Sequence, residues 1–139
     1  MRAIISTIVT FFFLLQSLLF GGGEAVGKVS LVPQKQSYSQ NTKVVQATWY
    51  NCTEDKIWVG HPFELEKWDG SQWIVIKPRE PIGVADVIFP LEPYQSLRMG
   101  YVLSYFDDLQ AGRYRIEPAP AISDSTGEAV PVYAEFKLK

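Results

Sequence analysis

Cysteine and histidine are almost absent from this sequence, with one of each in 139 residues. Cys52 alone cannot close an internal disulfide, so stability has to come from a packed core. It reads either as a strand-end or loop residue without a role, or as half of an intermolecular bridge. A single histidine, His61, excludes multi-histidine zinc sites and the metalloprotease motif. A Ser-His-Asp triad would have to use His61, which sits beside Pro62 in a loop, and no nucleophile-elbow motif occurs anywhere. A Cys52–His61 thiol pair has no neighbouring group to orient it. Positive charge is not in excess: 13 Lys and Arg stand against 15 Asp and Glu. No basic stripe is available to neutralise phosphates, which argues against nucleic acid as a partner. Helical periodicity is missing too, and Phe106 to Leu109 has room for one helical turn at most. Asp107-Asp108 lack the spacing of a calcium loop. No metal, cofactor or catalytic residue is expected.

What is present is apolar and aromatic. Hydrophobic residues make up 47% of the chain and charged residues 20%, which excludes the disordered class. The first 25 residues have the layout of a secretory signal peptide: a positive start at Met1-Arg2, an apolar run from Ala3 to Phe20, a Gly21-Gly22-Gly23 break, and small residues at Gly23 and Ala25. Ser6, Thr7, Thr10, Gln16 and Ser17 dilute the run below what a membrane span favours. Cleavage near Ala25 is therefore expected, with membrane contact only through the leader if it stays uncleaved. No cysteine lies near that point to carry a lipid anchor. The expected address is the medium or the cell envelope.

From Lys28 to Lys139 the hydrophobic pattern has period 2. Val29, Leu31 and Pro33 open it. Val45, Ala47 and Trp49 alternate with Gln46, Thr48 and Tyr50; Ile57 and Val59 flank Trp58; Phe63 and Leu65 alternate with Glu64 and Glu66. Asp69-Gly70 is a tight-turn dipeptide, and Trp73-Ile74-Val75-Ile76 returns from it, predicting a hairpin over Phe63 to Ile76. Val84 to Phe89 reads as a strand ended by Pro90 and Pro93. Leu97, Met99, Tyr101 and Leu103 face one way on the next, Ala111-Gly112 turn into Arg113-Tyr114-Arg115-Ile116, and Val132, Ala134, Phe136 and Leu138 alternate on the last. Pro118 to Gly127 reads as a loop. Seven to eight antiparallel strands, each with one apolar face to hide, predict an all-β, two-sheet sandwich of immunoglobulin type over residues 28–139, preceded by a signal helix over 1–25. A closed barrel is the alternative. Tyr114, two residues after Gly112 and two before Ile116, has the spacing of an immunoglobulin tyrosine corner, which favours the sandwich; a plain cross-strand tyrosine has the same spacing.

The chain resembles the bacterial immunoglobulin-like domains of exported proteins from Gram-positive and related bacteria. The matching elements are Ala47-Thr48-Trp49-Tyr50-Asn51, the Phe63 to Ile76 hairpin with its Asp69-Gly70 turn, Leu91-Glu92-Pro93, Leu109-Gln110-Ala111-Gly112-Arg113-Tyr114-Arg115-Ile116, and Ala134-Glu135-Phe136. The resemblance spans nearly everything after the leader. It implies an immunoglobulin-like fold and an extracytoplasmic address, and it carries no catalytic residues over. The sequence departs from the pattern at Tyr94, where such domains often carry glycine, and in the Pro118-Ala119-Pro120 insertion. Asn51-Cys52-Thr53 spells a glycosylation acceptor, which in a bacterial product should stay bare.

The surplus aromatics are the main functional signal. Strict alternation cannot bury Trp58, Trp68 and Trp73 together. Trp68 falls opposite Phe63 and Leu65 or in the turn itself. Tyr50, Trp58, Trp68 and Trp73 are therefore the candidate binding surface, an aromatic platform for sugar rings or for a protein interface. Alternatively they cover a second apolar face or a sheet edge. Glu64 and Glu66 share the outward face and read as solvated charges that protect an edge. The expected function is a non-enzymatic binding or structural module contacting protein or cell-wall glycan. A protease inhibitor presenting the loops Pro78 to Pro81 and Asp107 to Gly112 is the alternative.

Overall fold

The structure is a computed structural model that describes residues 27–82 and 87–139. The predicted signal helix, and the start of the strand predicted from Val84, lie outside the described residues. In chain order the strands are β1 (Val29–Pro33), β2 (Ser37–Tyr38), β3 (Val44–Asn51), β4 (Ile57–Gly60), β5 (Phe63–Trp68), β6 (Trp73–Ile76), β7 (Ile88–Leu91), β8 (Ser96–Val102), β9 (Gly112–Pro118), β10 (Ala121–Ser123), β11 (Ala129–Val130) and β12 (Ala134–Leu138). Three of these, β2, β10 and β11, are two or three residues long, which accounts for most of the excess over the seven or eight read from the pattern.

Two sheets make the sandwich. One has the order β1-β3-β8, the other β2-β12-β9-β5-β6. Their inward residues are the ones that alternation selects. Val45, Ala47 and Trp49 on β3 and Met99 and Tyr101 on β8 meet Leu65 on β5, Tyr114 and Ile116 on β9, and Ala134, Phe136 and Leu138 on β12. Burying a large apolar side chain of this kind contributes about 1.5–3 kcal/mol. The polar atoms that enter the core are satisfied: Trp49 Nε1–H donates to the Tyr101 hydroxyl at 3.1 Å, and that hydroxyl donates to Met99 Sδ at 3.7 Å. Burial pushes the Tyr101 hydroxyl up to about 12. Tyr114 is a tyrosine corner, donating to the Gln110 carbonyl at 2.7 Å and so pinning the loop that leads into β9.

A third sheet, with the order β11-β10-β4-β7, adds to the two sheets expected and sends Ile57, Val59, Leu91 and Ala121 into the same core. It forms because His61-Pro62 interrupts the run from Ile57 to Trp68: β4 pairs with β7 and β10, while β5 pairs with β6 and β9. Three expectations are corrected here. The strand read as ending before Pro90 runs from Ile88 to Leu91, with Pro90 opposite Trp58. Proline fits there because β7 is the edge of its sheet. The stretch from Pro118 to Gly127 contains β10 instead of being all loop. The single helical turn lies at Leu103–Tyr105, ahead of Phe106, as a 3-10 turn closed by Phe106 N–H to the Leu103 carbonyl.

Two of the turn positions with positive φ matter most here. Gly70 has φ 106, which completes the Asp69-Gly70 turn without a Cβ clash. Tyr94 has φ 60, a backbone conformation that favours glycine. Its ring packs against the small cluster of Tyr50 and Cys52.

Candidate functional site

The four candidate aromatics do not form one platform. Tyr50 is only 9% exposed and packs with Cys52, Val32 and Tyr94 on the far side of the β1-β3-β8 sheet, so the expectation of an exposed Tyr50 is corrected. It fails because the turn holding Tyr94 folds over this face. Trp68 and Trp73 face each other across β5 and β6, with ring centroids 5.4 Å apart. Trp58 is on β4, in the third sheet. The chain therefore offers two separate aromatic faces.

The first is the outer face of the five-stranded sheet. Arg113 and Arg115 alternate outward on β9 and interleave with the rings. The Arg113 guanidinium lies 5.4 Å from the Trp68 ring and 5.1 Å from Trp73; that of Arg115 lies 4.4 Å from Trp73 and 4.0 Å from Tyr133. Each cation also has its own carboxylate. Arg115 Nε–H donates to Glu66 at 2.9 Å, and Arg113 is bidentate on Glu135 at 2.9 and 3.0 Å. Glu66 is 6% exposed beneath this stack, so its expected role as a solvated charge is corrected. Register explains the burial: Arg115 stands directly opposite Glu66 on one side and Glu135 on the other. Burial favours the neutral form of Glu66, but hydrogen bonds from Arg115 and Glu117 and the Arg115 charge outweigh it and hold the carboxyl below its usual range. Glu117 is pushed the other way, first by burial, then by Glu66 and Glu64. Glu64 faces Glu117 across the strands.

The second is the outer face of the four-stranded sheet. Pairing sets Ala129 opposite Ile122, Ile122 opposite Trp58, and Trp58 opposite Pro90. This is an apolar row running straight across all four strands. Period 2 places Ile88 on the same face beside Pro90, 61% exposed, and Ile122 is 37% exposed. Trp58 Nε1–H donates to Asp124 at 2.9 Å, and Lys56 Nζ lies 4.7 Å from the ring. Where β4 and β11 begin and β7 and β10 end, charge collects. Asp55, Glu92, Asp124 and Glu128 stand there, with Lys56 loosely bridged to Glu92 at 3.9 Å and Lys28 further along beside Cys52. Asp55 accepts from Ser123 and from Ser125, and these hydrogen bonds, that of Ser123 foremost, keep its carboxyl below the usual range.

Asn51, read in the sequence only as a strand end and glycosylation acceptor, holds this end together. It is fully buried. Its Nδ2 donates to the carbonyls of Asp55, Leu91 and Glu92 at 2.7, 3.0 and 3.2 Å, and its Oδ1 accepts from Thr53 N–H and Oγ1–H. The amide that a glycan would need is thus committed inside the fold. The other chemistry-bearing residues are equally occupied. Cys52 is a free thiol only 1% exposed, which leaves no accessible sulfur for the intermolecular bridge. His61 stacks on Tyr101 at 6.3 Å. Among the described residues, no group of three or more His, Cys, Asp or Glu is placed to hold a metal ion. The Arg113-Arg115 stack and the Asn51 hub were not singled out in the sequence. The only local signal for the stack was two arginines at strand spacing, with tryptophans on both sides of a tight turn.

Comparisons with known proteins complete the picture. No curated protein matches the chain. Among solved structures it is similar to a Pseudomonas fluorescens alkylpurine DNA glycosylase, AlkC, bound to DNA containing an abasic site analog. That similarity has 15% identity and a TM-score of 0.38, covers 99% of this chain, and spans 36% of the length of the other. At those values it carries no argument. The family model of the bacterial Ig-like domain matches residues 27–137, the stretch that contains the sandwich, the tyrosine corner and the third sheet. The chain belongs to the bacterial Ig-like domain family.

Proposed function

We propose that this protein is a non-enzymatic binding module that works outside the cytoplasm and contacts a protein or cell-wall glycan through the outer face of its four-stranded sheet. One observation carries the reading: the row Ala129–Ile122–Trp58–Pro90, with Ile88 beside it, leaves apolar side chains exposed, with no covering element among the described residues. A contiguous exposed apolar patch is the usual mark of an interaction surface. The Trp68–Trp73 face is a poorer choice, because its own arginines already occupy the rings. The extracytoplasmic setting is supported by the leader-like residues 1–25 and by the family resemblance. The non-enzymatic reading is supported by the occupied states of His61 and Cys52.

The test is capture from envelope extracts, together with glycan-array binding, for the protein and its Ile122→Lys variant. Capture that the variant loses is expected; no partner of either kind at physiological salt counts against the reading. A protease inhibitor is the second reading. Arg79 bonds to Asp107 at 3.0 Å and to the Ser104 carbonyl at 3.1 Å, linking the loop that holds Pro78 to Pro81 to the one that begins at Asp107. Titration against common proteases checks it, and absence of inhibition at micromolar concentration rejects it.

A further inference from the structure

The partner that fits the four-stranded face can be narrowed by its chemistry. This step rests on the binding-module reading above. A sugar needs hydrogen-bonding groups around the ring it stacks on. Here the neighbours of Trp58 along the row are Ile122 and Pro90, its own Nε1–H is already given to Asp124, and Lys56 lies over the ring. The row spans three inter-strand spacings, roughly 14 Å. That is the width of about four extended residues or of a helix of two to three turns. Side-on addition of a strand is hindered at the β7 edge, because Pro90 has no N–H to offer, and the other edge, β11, is only two residues long. Contact with the face is therefore favoured over contact with the edge.

The rim supplies the charge requirement. Asp55, Glu92, Asp124 and Glu128 stand at one end of the row, with Lys56 among them and Lys28 beyond. The Asp55 carboxyl is held in its charged form by Ser123 and Ser125. Such a rim repels nucleic acid and anionic lipid and attracts lysine and arginine. We infer that this face binds a polypeptide segment that carries apolar side chains beside clustered basic residues. The apolar part covers Ile88, Pro90, Trp58 and Ile122; the basic part meets the carboxylates where the strands end.

The experiment is anisotropy titration of the purified protein with a dye-labelled amphipathic peptide of lysine and leucine, beside its glutamate-for-lysine counterpart and anionic phosphatidylglycerol vesicles. Saturable binding of the lysine peptide is expected, about ten-fold weaker at high than at low salt. The double variant Ile88→Ser/Ile122→Ser should weaken it about ten-fold, and Glu92→Gln/Asp124→Asn about three-fold. Lys137→Ser, on the five-stranded sheet, should leave it unchanged. All of these positions are at the surface, and circular dichroism checks that each variant keeps its sheet content. Equal binding of the glutamate peptide, binding to the vesicles in preference to the peptide, or indifference to the Ile88→Ser/Ile122→Ser change overturns the inference. If capture of another ligand depends on Ile122 while the lysine peptide does not bind, the basic-partner inference fails and the binding-module reading stands. If nothing binds this face, both fail.

Discussion

The two outward faces of the domain use the same residue types to opposite ends. On the five-stranded sheet, tryptophans, arginines and glutamates meet one another: Arg115 lies between Trp73 and Tyr133 and is bonded to Glu66. On the four-stranded sheet, Trp58 gives its Nε1–H to Asp124 and carries Lys56 near its ring, but its neighbours along the row, Ile122 and Pro90, are apolar, and Ile88 and Ile122 are exposed. The first face satisfies itself and works as structure. The second keeps apolar surface in water, which stabilises nothing in the isolated domain. Aromatic rings on both faces have partners of their own, so the exposed aliphatic side chains beside them are the better guide to function.

That contrast can be broken most directly at Arg115. Arg115→Ala leaves Glu66 charged and buried without its cation, and should cost about 3 kcal/mol, read as a lower urea midpoint at unchanged slope. A loss as small as that of an exposed ion pair would mean that the stack is only decoration. Tyr114→Phe strips the Gln110 carbonyl of its donor and should cost about 1–2 kcal/mol in the same measurement. Glu117→Gln sharpens the comparison through pH. The folded-state pKa of Glu117 is raised, so its favourable contribution is present in acid and lost as pH rises through that value; Glu66, whose pKa is lowered, behaves in the opposite sense, losing its contribution as pH falls. Glu117→Gln should therefore stabilise the domain at neutral pH and flatten the loss seen on going from acid to neutral in thermal melts. The smallest effect belongs to the other face: Ile122→Ser should change stability by less than about 0.5 kcal/mol while weakening partner capture.

Much of the sandwich was legible because period 2 reports directly on which side chains are buried. Val45, Ala47, Trp49, Met99, Tyr101, Ala134, Phe136 and Leu138 are all inward, and the Gly112-x-Tyr114 spacing gave the corner. The same signal says which face a residue takes, never which sheet it joins. That is why Trp58 was grouped with Trp68 and Trp73, although His61-Pro62 sends β4 to another sheet. Glu66 was misread for a related reason. Alternation sets it outward correctly, but what covers it comes from β9, 49 residues later. Pro90 looked like a terminator because its tolerance depends on edge position, which only the assembled sheet defines.

The four-stranded face also has a calendar. Its row takes one residue each from positions 58, 90, 122 and 129, and the Asn51 amide that anchors its end must reach Leu91, 40 residues downstream. Contacts at such separation close late, after local hairpins such as β5–β6 have formed. A nascent or truncated chain that stops before Ala129 lacks the last member of the row, and one that stops before Ile122 lacks two. Whatever this face recognises can therefore be engaged only once the chain has been made through Ala129.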